Sequence, residues 1–205
     1  MCGIIGSTNR EVFTNIFEQN KERGNFAYGI LRCDINNNIN IKKSNNINEE
    51  CEFKEEDILF LGHLQSPTSS KTYYEEDTTH PFKYKQCYLA HNGVLSNHKE
   101  LREKYDIEGN EVDSSIILPL IYKIGLTKAL SVLRGTFGCW LYREDTSELF
   151  LFRSGSTIYT DGKSFSSKPI KEWKLLDEGI IYRFNYTKLI YEKYDNFKTN
   201  SGFFI

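Results

Sequence analysis

The sequence predicts an α+β fold in which a strand and a helix come first, helices follow mid-chain, and a run of strands comes last. Three observations point that way. Apolar residues recur at helical spacing near the start, as Val12, Phe13, Ile16 and Phe17 within Glu11 to Glu22. They recur at Ile116, Ile117, Leu120, Ile121 and Ile124 in the middle of the chain. After Arg134-Gly135 the pattern changes to short apolar and aromatic runs, FGCWLYRE, LFLFRS, TIYTDG, GIIYRF and KLIYEKY, which read as strands.

Taken in order, Ile4 and Ile5 sit in a short first strand, and the helix over Glu11 to Glu22 ends before Arg23-Gly24. A strand follows over Gly29 to Cys33. The Asn-rich stretch DINNNINIKKSNNINEECEFKEED then reads as a loose hairpin and an exposed loop, a variable insertion. Strands are expected over Asp57 to Leu61 and Cys87 to Ala90, with a turn-rich segment, GHLQSPTSSKTYYEEDTTHPF, between them. A helix starts at Asn97 and runs to Lys104, and Asp113-Ser114-Ser115 can cap the next, which contains Pro119 and is therefore expected to be irregular. A third short helix spans Thr127 to Leu133.

With 205 residues, 39% hydrophobic and 14% aromatic, the chain is expected to form one domain, residues 1–205, with its own core. Its 26 Lys plus Arg nearly balance 28 Asp plus Glu, so the basic field that nucleic-acid binding needs is absent. Tyr73, Tyr74, Trp140 and Trp173 then fit packing better than a stacking platform for bases. No apolar run approaches a membrane span, and MCGIIGSTNR is too polar for a secretory signal, so a cytoplasmic location is expected. Cys2, Cys33, Cys51, Cys87 and Cys139 form no CxxC pair, which argues against a disulfide framework or a structural metal site. His63, His80, His91 and His98 are spread over a stretch where structural roles are the simpler reading.

Cys2 stands apart because removal of Met1 would leave a thiol and a free α-amine on one residue. An α-amine titrates at about 7.7 to 8.0 and a thiol at about 8.5, so the amine can take the thiol proton near neutral pH. On composition alone, a small residue in a first strand is the plainer explanation.

The segments around it decide between the two. MCGIIG opens the chain, and Glu22-Arg23-Gly24 ends the first helix. GHLQSPTSS at 62–70, His80-Pro81, LAHNGVLSNHKELREKY at 89–105, Asp113-Ser114-Ser115, LRGTFG at 133–138 and FRSGS at 152–156 follow. In this order and spacing they resemble the class II glutamine amidotransferases, most closely the glutaminase half of glucosamine-6-phosphate synthase. The resemblance runs from Met1 to about Phe184.

It implies a four-layer αββα sandwich of the N-terminal-nucleophile hydrolase type, needing no cofactor and no metal. It also implies that Cys2 attacks the side-chain amide of L-glutamine, with Asn92 and the Gly93 N–H as the oxyanion hole. Chemistry independently favours such a pair: two donors must converge on one developing charge, and glycine lets the backbone approach. An isolated Asn-Gly is otherwise a plain turn. Asp113 matches the acidic residue that holds the glutamine α-ammonium, although alone it reads as a helix cap. Arg23 matches the Arg near the nucleophile, although alone it is a charge at a helix end. Thr68 matches a loop contact to the glutamine backbone groups.

The chain also departs from the pattern. Where the family has G-H-x-R, with Arg on the α-carboxylate of glutamine, this chain has Gly62-His63-Leu64-Gln65. A neutral donor in place of a charged fork weakens that contact by about 1.4 kcal/mol, or tenfold. Ser66 replaces the usual aromatic, and Phe26 stands where many members have Asp. The expected activity is hydrolysis of glutamine to glutamate and ammonia through a Cys2 thioester. The length leaves no room for a synthase, so a separate acceptor enzyme is the expected partner. The alternatives are a Cys2 amidohydrolase acting on a different amide, and a catalytically silent glutamine-binding module.

Overall fold

The computed structural model describes residues 2–49, 51–66 and 74–200. Its strands and helices alternate as β1 (Gly3–Ser7), α1 (Arg10–Asn20), β2 (Ala27–Asp34), β3 (Ile39–Ser44), β4 (Asp57–Gln65), β5 (Phe82–Tyr84) and β6 (Cys87–Leu95). The helical group follows as α2 (His98–Tyr105), α3 (Ile117–Ile124) and α4 (Leu126–Val132), with a short 3-10 turn at Asp113–Ile116. The remaining strands are β7 (Gly135–Arg143), β8 (Glu148–Ser154), β9 (Tyr159–Thr160), β10 (Phe165–Ser166), β11 (Lys174–Leu175), β12 (Ile180–Asn185) and β13 (Ile190–Asn196).

These strands form two antiparallel sheets, ordered β11-β9-β10-β1-β4-β2-β3 and β13-β12-β8-β7-β6-β5. Period-2 alternation assigns each side chain to a layer. Ile5 joins Phe13, Phe17, Tyr28 and Leu64 in a core under α1. Its neighbour Ile4 joins Leu61, Ala90 and Trp140 in a core between the sheets. On β6, Leu89 and Leu95 pack instead with Leu101, Ile117, Leu120 and Leu130, under the mid-chain helices. Helix, sheet, sheet, helix is the resulting order, the αββα sandwich expected from the sequence. Trp140 Nε1 donates to Gly62 O at 3.0 Å and ties the sheets together where their inner faces meet.

Local chemistry explains the element ends. Asn9 caps α1 by accepting from Val12 N at 3.0 Å. Pro119 does not disturb α3, because it is the third residue of the helix, where the backbone N–H has no intrahelical acceptor to lose. The preceding turn is 3-10 from Asp113, so the regular helix begins at Ile117, later than the apolar spacing suggests.

Two differences from the sequence reading matter for the site. Strand β4 continues through Gly62-His63-Leu64-Gln65, and β6 continues through His91-Asn92-Gly93, so both motifs lie on paired strands and not in loops. The final run of strands divides between the two sheets. Strands β9, β10 and β11 cross to the β1 sheet, while β7, β8, β12 and β13 stay in the other.

Candidate active site

Cys2 immediately precedes β1, and the Gly3↔Leu64 register brings it beside the end of β4. Ser66, just past that end, holds the sulfur through its backbone. Its N–H donates to Cys2 Sγ at 3.4 Å, and the thiol donates to Ser66 O at 3.5 Å. Burial pushes the thiol pKa up, the Ser66 N–H pulls it back, the Asp113 carboxylate raises it and the Arg23 guanidinium lowers it. Both charged residues named from the sequence are therefore close enough to act on the sulfur.

Arg23 reaches it from the end of α1, donating from Nε to Cys2 O at 3.1 Å. The following glycine makes that approach possible: a Cβ on Gly24 would lie 2.6 Å from the Leu64 backbone. Desolvation lowers the Arg23 pKa from its ordinary value.

On the facing sheet, Asn92 shares the inward parity of Ala90 and is buried. Its Nδ2 donates to Ser167 Oγ at 3.2 Å, and that same oxygen accepts from Ile4 N at 3.0 Å. One hydroxyl thus spans the gap between β1 and β6. Gly93 adopts φ +150°, and a Cβ there would meet Thr136 O at 2.0 Å and His91 Nε2 at 2.8 Å. Only glycine fits that backbone.

Asp113 accepts from Leu95 N at 2.7 Å and from Ser114 N at 2.8 Å, so it anchors the end of β6 to the start of the helical layer. Gln65 ends β4, its carbonyl accepting from Phe26 N at 3.1 Å. Its side-chain Oε1 is buried with no hydrogen-bond partner among the described residues. Thr68 lies outside the described residues. Among the described residues no group of three or more His, Cys, Asp or Glu is placed to hold a metal ion.

Behind the site stand three buried histidines. His63 Nε2 is 3.1 Å from His91 O, so that nitrogen carries the proton. His91 Nε2 meets Thr136 O at 3.3 Å, and its Nδ1 lies 2.7 Å from Ser114 Oγ. Both His80 nitrogens lack a partner among the described residues, and its ring lies against His63, tilted by 36° with centroids 4.0 Å apart. Burial pushes His63 down to about 3 and lowers His80 and His91 as well, so all three are neutral near pH 7.

Residues 71–160 match the family profile described as a glutamine amidotransferase domain, a span that includes Asn92, Gly93 and Asp113. That segment is thus similar to a glutamine amidotransferase domain. It is 24% identical over 229 residues to the glutamine–fructose-6-phosphate aminotransferase (isomerizing) of Idiomarina loihiensis, covering 96% of this chain and 38% of the relative. With the enzyme of the same name from Streptococcus pneumoniae it shares 32% over 145 residues, covering 65% of this chain and 24% of the relative. The chain thus spans well under half the length of these relatives.

Its fold is that of the glutamine phosphoribosylpyrophosphate amidotransferase from B. subtilis complexed with ADP and GMP. The TM-score is 0.74 at 18% identity, over 98% of this chain and 50% of that one. A second solved structure, titled the allosteric regulatory enzyme of purine biosynthesis, also matches with a TM-score of 0.74, at 19% identity over 98% of this chain and 50% of that one. The chain therefore has the αββα fold that its motifs suggested.

The sequence reading missed Ser66 and Ser167. Ser66 was noted only as a replacement for an aromatic, because its contribution is made by the backbone. Ser167 lies in FSSKPI, where nothing local separates it from Ser166.

Proposed function

We propose that this chain is a glutaminase whose nucleophile is Cys2 after removal of Met1. The freed α-amine takes the thiol proton, and the thiolate attacks Cδ of the glutamine side chain. The negative charge that develops on the amide oxygen falls to Asn92 Nδ2 and the Gly93 N–H. Collapse of the tetrahedral intermediate breaks the C–N bond, the ammonium of Cys2 returns its proton to the departing nitrogen, and ammonia leaves. Water, deprotonated by the same amine, hydrolyses the thioester to glutamate and regenerates the thiol. No cofactor is needed, since each proton is returned within the cycle.

Arg23, Gln65, Thr68 and Asp113 are assigned to the substrate. Asp113 accepts the α-ammonium with its remaining lone pairs, and Arg23 borders the nucleophile.

The observation that supports this reading best is Ser167 Oγ, bonded both to Asn92 Nδ2 and to Ile4 N on the strand that follows Cys2. The relatives' names pair glutamine with a sugar phosphate. The ammonia is accordingly proposed to pass to an acceptor site outside these residues, on a synthase partner. A reducing, cytoplasmic setting suits the five free thiols.

A second reading keeps Cys2 but changes the amide. It is favoured by Gln65, a neutral side chain with a buried, unpartnered oxygen where the family places a charged donor. Ammonia release from glutamine, asparagine and simple peptide amides separates the readings. Turnover of glutamine, abolished by Cys2→Ala, supports the first; turnover confined to another amide replaces it with the second. Glutamine binding without turnover, unchanged by Cys2→Ala, would mean a silent binding module.

A further inference from the structure

We propose that Ser167 is a positioning residue that aims the side-chain amide of Asn92, an inference that rests on the oxyanion role given to Asn92 above. Ser167 is fully buried, at the point where the chain leaves β10 and passes beside β1. Its backbone is locked there, because Ser167 N donates to Ile4 O at 2.9 Å and Ser167 O accepts from Thr157 Oγ1 at 2.8 Å. With the backbone held, the hydroxyl oxygen accepts from Ile4 N at 3.0 Å and from Asn92 Nδ2 at 3.2 Å, two bonds that fix its rotamer.

The geometry gives this contact a consequence for catalysis. The terminal torsion of an Asn side chain is broad and only roughly two-fold, so an unheld carboxamide samples many orientations. An amide nitrogen has two hydrogens in one plane. Committing one to Ser167 fixes the plane and therefore the direction of the other, for which no acceptor is found among the described residues. A donor pre-aimed in this way costs no reorganisation when charge develops. Because Ile4 is two residues from Cys2, the same oxygen also sets the spacing between the nucleophile's strand and the donor.

The adjacent serine gives a built-in control. Ser166 is equally buried, but its hydroxyl accepts from Asn20 Nδ2 at 2.9 Å, on α1, and makes no bond to Asn92. Loss of either hydroxyl removes a buried hydrogen bond, and only one of them touches the oxyanion donor.

The test measures kcat and KM for ammonia release by the full chain and its variants. Ser167→Ala is expected to lower kcat about tenfold, against the roughly 10²–10³ lost when an oxyanion donor is itself removed, with KM for glutamine within about twofold. Ser166→Ala leaves kcat within about twofold. The Ser167→Ala loss is expected to disappear in an Asn92→Ala background, since the residue acts through Asn92. A loss that persists undiminished in that background, or no loss at all, overturns the proposal.

Should Ser167→Ala not fold, Ser167→Cys keeps the volume with a weaker acceptor and is read in the same way. A readout independent of turnover completes the test. The Asn92 side-chain amide hydrogens, followed by NMR, exchange slowly in the parent and faster in Ser167→Ala. Unchanged exchange overturns the proposal even if the protein proves inactive on glutamine, an outcome that would reject only the glutaminase reading.

Discussion

The side of the site proposed to hold the nucleophile and oxyanion donors and the rim proposed to recognise substrate are built in opposite ways. On the first side, Cys2, Asn92 and Gly93 sit on or beside paired strands and are held by backbone or buried groups: Ser66 on the sulfur, Ser167 on the Asn92 amide, Thr136 crowding Gly93. On the rim, Arg23 is spent partly on the Cys2 carbonyl, Asp113 on two backbone N–H groups, and Gln65 has a side-chain oxygen with no partner among the described residues. Departures from the pattern that the sequence resembles, Gln65 and Ser66 among them, fall on the rim, while Cys2, Asn92 and Gly93 of the proposed centre keep it. A reaction mechanism held between two sheets tolerates little change, whereas recognition carried at strand ends can be retuned by single substitutions.

The largest effect is expected where the first side is cut directly. Asn92→Ala should lower kcat for ammonia release by about 10²–10³ with the fold preserved, because one of the proposed oxyanion donors is gone. Gly93→Ala should instead cost stability, about 3 kcal/mol by denaturant titration. Its Cβ would lie 2.0 Å from Thr136 O at a φ that L-residues avoid. A Gly93→Ala protein as stable as the parent would mean that this backbone is not constrained as described.

Acid should expose the histidine layer behind the site. His63 titrates at about 3 in the fold and at about 6.5 unfolded, so the unfolded chain binds the proton more tightly. Stability is therefore fully present above pH 6.5 and is lost progressively as pH falls toward 3. At pH 5 the cost is about 2 kcal/mol for His63 alone, from about 1.36 kcal/mol per unit over 1.5 units. His80 adds to it in the same direction, with both nitrogens unpartnered among the described residues. Urea midpoints measured from pH 7.5 to 5 check this, and His63→Phe should flatten the curve.

The smallest effect belongs to the rim. Gln65→Arg restores a charged donor and should lower KM for glutamine about tenfold, or 1.4 kcal/mol, with kcat little changed. A change in kcat instead would mean that Gln65 contributes to the chemical centre.

What was legible in the sequence follows the same division. The αββα layers came from the resemblance, while the residues themselves showed α1 and the mid-chain helices by their apolar faces at helical spacing, and Asn92-Gly93 stood out within LAHNGVLSN. The strand character of that motif was hidden, since Asn-Gly is a turn signal, and pairing with β7 overrides it. The two-residue strands β9, β10 and β11 carry too little periodicity to reveal which sheet they join. Ser167 was illegible because its role comes from two partners distant in sequence, at positions 4 and 92. His63, His80 and His91 were assigned structural roles from the sequence, but their gathering into one neutral cluster depends on the two sheets meeting.

The central claim, that Cys2 is an N-terminal nucleophile in a glutamine site, is tested most directly by intact mass before and after a glutamine-analogue electrophile. The account predicts a chain lacking Met1 that gains one adduct, mapped to Cys2 and suppressed by excess glutamine. A processed chain with Cys2 unmodified would contradict it.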